Sequence, residues 1–222
     1  MKAKKLLSVI VTFTLALAMT LSSAPVQAQI SEVCEVFSDV KHGAWYEESV
    51  QYVYDKGIMS GSNGIFKPQD NITRAQLVTT LYRMAGEPTV RNRAAVEAFS
   101  DIEEGKYYTD AVCWAYATGI TTGSNGKFKP SDTLTREQLV VFLGRYSSML
   151  HITYPNIFGL RVLNNFSDYA RDDIFWAVGY GLITGNAVGI DDHYYLDVKP
   201  KGNATRAQVA TILMRFCERY VV

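Results

Sequence analysis

The chain repeats one spaced pattern three times, and a chain that does so must fold as copies of one unit that bury their apolar faces together. Phe37-Ser38-Asp39, Phe99-Ser100-Asp101 and Phe166-Ser167-Asp168 open the copies. Gly57-Ile58-Met59-Ser60-Gly61, Gly119-Ile120-Thr121-Thr122-Gly123 and Gly181-Leu182-Ile183-Thr184-Gly185 mark their middles, and Thr73-Arg74, Thr135-Arg136 and Thr205-Arg206 start their last helices. The second glycine and the threonine keep one spacing in the first two copies, 61 to 73 and 123 to 135, while the third carries an insertion around Val188 to Tyr195.

Each copy reads as helix, glycine turn, short extended loop, helix. Trp45, Val50, Val53 and Tyr54 recur at helical intervals, and Gly57 stands where a left-handed cap would end that helix. Asn63-Gly64 and Asn125-Gly126 are tight-turn pairs, each followed by Phe-Lys-Pro. Thr73, Thr135 and Thr205 are followed three residues later by Gln76, Gln138 and Gln208, the pattern of a capping box. Behind these caps run the apolar stripes Leu77, Val78, Leu81, Tyr82; Leu139, Val140, Leu143, Tyr146; and Val209, Ala210, Leu213, Phe216. Two helices cannot bury such a stripe alone, so the expected fold is mainly α: three helix-turn-helix repeats packed as a pseudo-threefold bundle, with short extended segments in the loops. The repeats span 37–86, 99–147 and 166–217. Linkers from Pro88 to Ala98 and from Ser147 to Asn165 join them, and the second, with Tyr154-Pro155 and Ile157-Phe158, is apolar enough to pack on the body.

Ahead of the repeats, Lys2, Lys4 and Lys5 precede an apolar run from Leu6 to Leu21 and the stretch Ser22-Ser23-Ala24. This is the layout of a secretory signal peptide, 1–28, cut after Ala28 with Val26 at the second recognition position. The run is shorter than the roughly 20 residues that cross a bilayer, so no membrane association is expected after cleavage. The whole chain has 22 basic and 22 acidic residues, and losing those three lysines with no acid leaves about −3. Such a balance, without a basic run, argues against nucleic acid as a partner. Cys34, Cys113 and Cys217 are too few for a disulfide scaffold. A single Cys34–Cys217 bond, at the two ends of the ring of units, is the one pairing expected, with Cys113 a free thiol inside a helix.

The three sets of landmarks resemble the S-layer homology family, whose units run from a Phe-x-Asp opening, through an aromatic helix ending in glycine, to a Thr-Arg-Ala-Glu signature. The resemblance covers Phe37 to about Phe216 in three copies. It implies three units around a central helical bundle, and binding of a secondary cell-wall polymer, commonly through a pyruvylated sugar, in the grooves between neighbours. The same resemblance implies a secreted protein held non-covalently on a bacterial cell wall, with a surface-layer protein as a further partner.

For a pyruvate carboxylate, Arg74, Arg136 and Arg206 are the suited groups: a planar fork of donors beside a helix N-terminus with its dipole and free amides. Arginine there has the wrong sign for the dipole, so its recurrence in all three copies points to a ligand. Trp45, the aligned Tyr107 and the looser equivalent Tyr169 either stack on a sugar ring or pack in the core. Asp39, Asp101 and Asp168 either bind sugar hydroxyls or hold the local turn. Gly61, Gly123 and Gly185 admit a ligand to the backbone, permit positive φ, or both. Two departures stand out: glutamine replaces the signature glutamate, and the insertion brings Asp191, Asp192 and His193 towards the third groove. Arg83, Arg145 and Arg215 lie at the helix end where a cation complements the dipole, which assigns them to structure.

An enzyme is not expected, and no cofactor is called for. The chain has no HExxH, GxSxG or phosphate-loop pattern, and His42, His151 and His193 form no metal spacing. Glu103-Glu104, Asp172-Asp173 and Asp191-Asp192 are acid doublets of the solvated kind. The competing reading is an adaptor whose grooves bind protein, or whose repeats assemble into a surface lattice without carbohydrate.

Overall fold

The computed structural model describes residues 32–152 and 160–220. The signal-peptide segment 1–28 and the pairs Tyr154-Pro155 and Ile157-Phe158 lie outside the described residues. The fold is mainly helical: α1 (Val33–Val36), α2 (Glu47–Asp55), α3 (Arg74–Met84), α4 (Ala94–Ala98), α5 (Thr109–Ala117), α6 (Arg136–Met149), α7 (Arg171–Gly179) and α8 (Arg206–Tyr220), with one antiparallel hairpin, β1 (Asn186–Ile190) and β2 (His193–Asp197).

Each unit is a short first helix, a glycine stop and a longer last helix. Gly57, Gly119 and Gly181 all have φ near +70°, and each ends its helix where the repeats predict. Ile58 N donates back to Val53 O at 2.8 Å and Gly57 N to Tyr54 O at 2.9 Å, the paired bonds of a left-handed cap. All three capping boxes form. Gln76 N donates to Thr73 Oγ1 at 3.2 Å while Thr73 N donates to Gln76 Oε1 at 3.0 Å, with the same pair at Thr135/Gln138 and Thr205/Gln208.

Neighbouring units join in a cycle. The last helix of each packs on the first helix of the next: α3 on α5, α6 on α7, and α8 back on α2. At the centre the residues just before the last helices form a closed backbone ring. Ile72 N donates to Ala204 O, Ala204 N to Leu134 O and Leu134 N to Ile72 O, at 2.9, 2.9 and 3.1 Å. All three side chains are fully buried, so the ring sits on the pseudo-threefold axis with dry surroundings. Around it the apolar stripes meet as the sequence pattern requires, with Tyr146 against Phe216 at 5.9 Å and Trp114 against Tyr146 at 6.1 Å between ring centroids.

Several local expectations need correction. Trp45 precedes α2 and is 63% exposed, while its neighbour Tyr46 takes the buried place beside Val50 and Val53. The linkers contain structure: α4 lies inside the first, and α6 runs past Ser147, which is fully buried. The insertion is the β1–β2 hairpin, and Leu163 N and Leu196 N tie it to residues 161–163 by backbone bonds of 2.9 and 2.8 Å. Cys34 and Cys217 do not pair. All three cysteines are free thiols: Cys34 donates to Glu47 Oε1 at 3.1 Å, and Cys217 is buried in α8.

Candidate functional site

The cyclic packing opens three grooves among the described residues, of about 590, 500 and 490 Å³. These volumes fall in the range of small-ligand sites. Each groove takes one part from each unit. The first holds Arg206 of the third unit, Gly61 and Arg83 of the first, and Tyr107 of the second. The second holds Arg74, then Gly123 and Arg145, then Tyr169. The third holds Arg136, then Gly185 and Arg215, then Trp45. The sequence landmarks of one copy are therefore dispersed over different grooves.

The helix-start arginines reach across the unit boundary. Arg74 Nε donates to Phe128 O at 2.7 Å, Arg136 Nε to Val198 O at 2.8 Å and Arg206 Nε to Phe66 O at 2.8 Å. Arg136 Nη2 also donates to Thr184 O at 3.2 Å, and Arg206 Nη2 to Ser60 O at 2.8 Å. Apolar faces hold the guanidinium planes: Arg74 lies 5.0 and 5.2 Å from the Phe128 and Phe142 centroids, and Arg206 lies 4.6 Å from Phe66. Burial pulls all three below the ordinary guanidinium value, yet leaves them charged. A cation at this unfavourable end of the helix dipole is thus explained in part by the neighbour's carbonyls, which it caps.

The amides expected to be free are not. Arg74 N donates to Asp132 O and Ala75 N to Pro130 O; the corresponding pairs are Arg136 N to Gly202 O with Glu137 N to Pro200 O, and Arg206 N to Asp70 O with Ala207 N to Pro68 O. All six bonds are 2.8–3.0 Å. Neighbouring loops therefore consume these helix-start donors.

Trp45, Tyr107 and Tyr169 are 63, 67 and 58% exposed, so the core-packing alternative does not hold. Trp45 and Tyr107 stand edge-on to the buried or half-buried Tyr46 and Tyr108 at 5.3 and 5.1 Å. Tyr169 is fixed differently, by donating to Glu137 Oε1 at 3.0 Å. Glu137 is itself buried; burial alone would raise its pKa, but Lys201 at 2.9 Å, the Ser167 amide and Tyr169 together hold it below the ordinary value.

The aspartates do not line the grooves. Asp39 Oδ1 and Oδ2 accept from Phe66 N and Lys67 N at 2.8 and 2.7 Å, and Asp101 repeats this with Phe128 N and Lys129 N. Lys67 and Lys129 have φ of 61° and 62°, a strained conformation for a lysine that the carboxylates hold in place. The Asp168 side chain is fully exposed and meets Arg171 at 3.7 Å. The glycines do line the grooves, but their own loops already require them. A Cβ at Gly61 would lie 2.4 Å from Ile65 O and 2.5 Å from Phe37 Cε1, and one at Gly123 would lie 2.3 Å from Phe99 Cε1.

The hairpin's base, Asn186 and Asp197, lines the third groove, whereas Asp191, Asp192 and His193 sit at the far end of its ladder. Four residue steps carry that turn about 13 Å away. Arg83, Arg145 and Arg215 belong to the grooves, which their position near a helix C-terminus did not reveal. Arg145 and Arg215 also donate to Ile120 O and Leu182 O, at 3.2 and 3.3 Å, beside their own glycine stops. Their recurrence in register with the first arginines was the available signal.

The chain is similar to a cell surface protein of Thermoanaerobacter kivui, 31% identical over 157 residues, covering 68% of this chain and 20% of that protein. It is similar to the S-layer protein sap of Bacillus anthracis, 26% identical over 204 residues, 88% of this chain and 23% of that one. An amylopullulanase of Thermoanaerobacterium thermosulfurigenes is 26% identical over 192 residues, 85% of this chain and 10% of the enzyme. The chain thus spans a tenth to a quarter of the length of these relatives. No helix of the described residues is long and apolar enough to cross a membrane. With the cyclic units and their grooves goes a direct match to a known module: residues 36–78 and 98–140 each match the S-layer homology domain.

Proposed function

We propose that this protein is an exported binding module, without catalytic activity, that attaches non-covalently to the bacterial cell wall by gripping an anionic secondary cell-wall polymer in its inter-unit grooves. The reading takes 166–217 as a third S-layer homology repeat beside 37–86 and 99–147, and 1–28 as a signal peptide. One observation carries it: the same trio of buried-edge arginine, second arginine and exposed aromatic recurs around three grooves that no single unit builds. An aromatic face receives the apolar face of a sugar ring, and the cations receive a carboxylate such as a pyruvate ketal. Support also comes from the relatives named as a cell surface protein and an S-layer protein, and from the small share of the amylopullulanase that the match covers.

The grooves are not equivalent. Among the described residues, no acceptor engages the Nη atoms of Arg74, whereas Arg136 and Arg206 each commit one to a carbonyl. The Arg74 groove adds Lys127, Lys129 and Arg145 against Asp132, which makes it the principal anion site in this reading.

The test uses wall sacculi before and after the polymer is stripped, and polymer with and without its pyruvyl groups. Tyr169→Ala and Tyr107→Ala each remove an exposed groove aromatic, and Glu137 keeps its bonds to Lys201 and Ser167 when Tyr169 is lost. Losing an exposed aromatic contact worth about 0.5–1.5 kcal/mol weakens an occupied groove roughly two- to tenfold. Removing pyruvyl groups should weaken binding further. Undiminished binding to stripped sacculi would refute the polymer as ligand and favour a protein-binding adaptor.

A further inference from the structure

The sequence spreads the Cys34 thiol, the His42 imidazole and the Glu47 carboxylate over three local elements: α1, the loop after the Phe-Ser-Asp opening, and the first turn of α2. The fold brings them together, with one donor atom from each lying within 4.8 Å of the other two. Cys34 Sγ is 3.1 Å and His42 Nδ1 is 3.0 Å from the same atom, Glu47 Oε1. None of the three lines a polymer groove. We propose that Cys34, His42 and Glu47 bind one Zn²⁺, with water completing a tetrahedron.

The donor set is chemically suited, since sulfur, imidazole nitrogen and carboxylate oxygen are the three ligand types that Zn²⁺ takes. The geometry is close to what the ion needs. With Zn–S of about 2.3 Å and Zn–N and Zn–O of about 2.0 Å, the tetrahedral edges from oxygen to sulfur and nitrogen are about 3.5 and 3.3 Å. The two observed separations are a few tenths of an ångström shorter, and sulfur and nitrogen lie within 4.8 Å of each other against an edge of about 3.5 Å, so a small readjustment of the cluster admits the ion. Glu47 is already aimed: Gly43 N donates to its Oε2 at 2.6 Å, which leaves Oε1 as the atom turned to the cysteine and histidine. A backbone donor on the far carboxylate oxygen is the outer-shell support that orients a metal ligand. His42 is 83% exposed and Glu47 only 23%, so the site has an entry path on one side and a fixed wall on the other.

Three ligands leave the fourth position open. Outside the groove linings, the ion acts as a clamp that pins α1 to the first unit. Its other effect falls on the loop between His42 and Glu47, which carries Trp45 to the third groove. The histidines show no metal spacing in the sequence because only one of them takes part.

The intact protein, reduced and stripped with a chelator, is titrated with Co²⁺, whose thiolate complexes absorb in the near ultraviolet. The expected result is a sulfur-to-cobalt band that saturates at one equivalent and is bleached by one equivalent of Zn²⁺. The band should be absent in Cys34→Ser, unchanged in Cys113→Ser, and should require at least tenfold more Co²⁺ in His42→Ala. The last substitution alters an exposed loop residue and spares the core. Absence of the band in the parent, its survival in Cys34→Ser, or parental affinity in His42→Ala would overturn the site. Wall binding is read separately, because the polymer grooves can be right while this site is wrong.

Discussion

Replacing Arg206 by alanine separates two roles that the grooves combine. The side chain joins the third unit to the first, so its loss should open the ring at its closing seam. Its Nε bond to Phe66 O is half-buried and charge-assisted, worth about 1.5 kcal/mol at the lower end of such bonds. The exposed Nη2 bond to Ser60 O adds about 1 kcal/mol, and the guanidinium over the Phe66 ring about 0.5–1 kcal/mol. Arg206→Ala should therefore cost about 3 kcal/mol, or roughly 6–12 °C in Tm for a chain of this size. Tyr107→Ala in the same groove removes a side chain that is 67% exposed and should cost no more than about 0.5 kcal/mol. Urea unfolding of parent and both variants, followed by far-ultraviolet circular dichroism, measures the contrast. An Arg206→Ala variant within 0.5 kcal/mol of the parent would refute the clasp, and would return the arginine wholly to ligand recognition. The clasp also affects how binding data are read. A loss of wall binding in Arg206→Ala reports the groove only when measured under conditions where that variant is fully folded.

Two further outcomes test the loops and the helix packing. Asp101→Ala removes two charge-assisted bonds, each about 1.5–3 kcal/mol, and should destabilise by at least 3 kcal/mol in the same unfolding assay, whereas the exposed Asp168→Ala should stay within about 0.5 kcal/mol of the parent. Asp173 lies against Gly144, where a Cβ would fall 2.0 Å from its Oδ1, and burial pushes it up to about 6, with Arg145 opposing and Asp172 adding to the rise. Its folded value exceeds the unfolded one, so its contribution is fully present below about pH 4 and is lost as pH rises through 6. Asp173→Asn should accordingly raise stability at pH 7 by about 1–2 kcal/mol, after allowance for partial exposure, and leave it nearly unchanged at pH 4. Equal effects at both pH values would exclude the buried carboxylate as the cause.

How much of this was legible in the sequence follows from the range over which each feature is determined. The capping boxes at Thr73, Thr135 and Thr205 join residues three apart, and the glycine stops at 57, 119 and 181 are fixed by their own helices. Caps and apolar stripes are written within a few turns of chain, and three copies of a stripe that one unit cannot bury dictate a bundle. The sequence by itself therefore determined the caps, the glycine stops and the mainly helical packing of the stripes.

Which groups face one another was decided by tertiary structure. Arg74 finds its carbonyl 54 residues away, Arg136 62 and Arg206 140, and no local pattern encodes those distances. The same cyclic closure occupied the helix-start amides and placed Arg83, Arg145 and Arg215 in the grooves. It also set each exposed aromatic beside arginines of the other two units. Asp39 and Asp101 look alike whether they hold sugar or backbone until Lys67 and Lys129 are seen in left-handed conformations that need their carboxylates. Cys34, His42 and Glu47 carry no metal-binding spacing because a helix, a loop and a second helix each supply one ligand. A periodic sequence fixes what each unit must bury, while the chemistry between units depends on how closely the third packs back on the first.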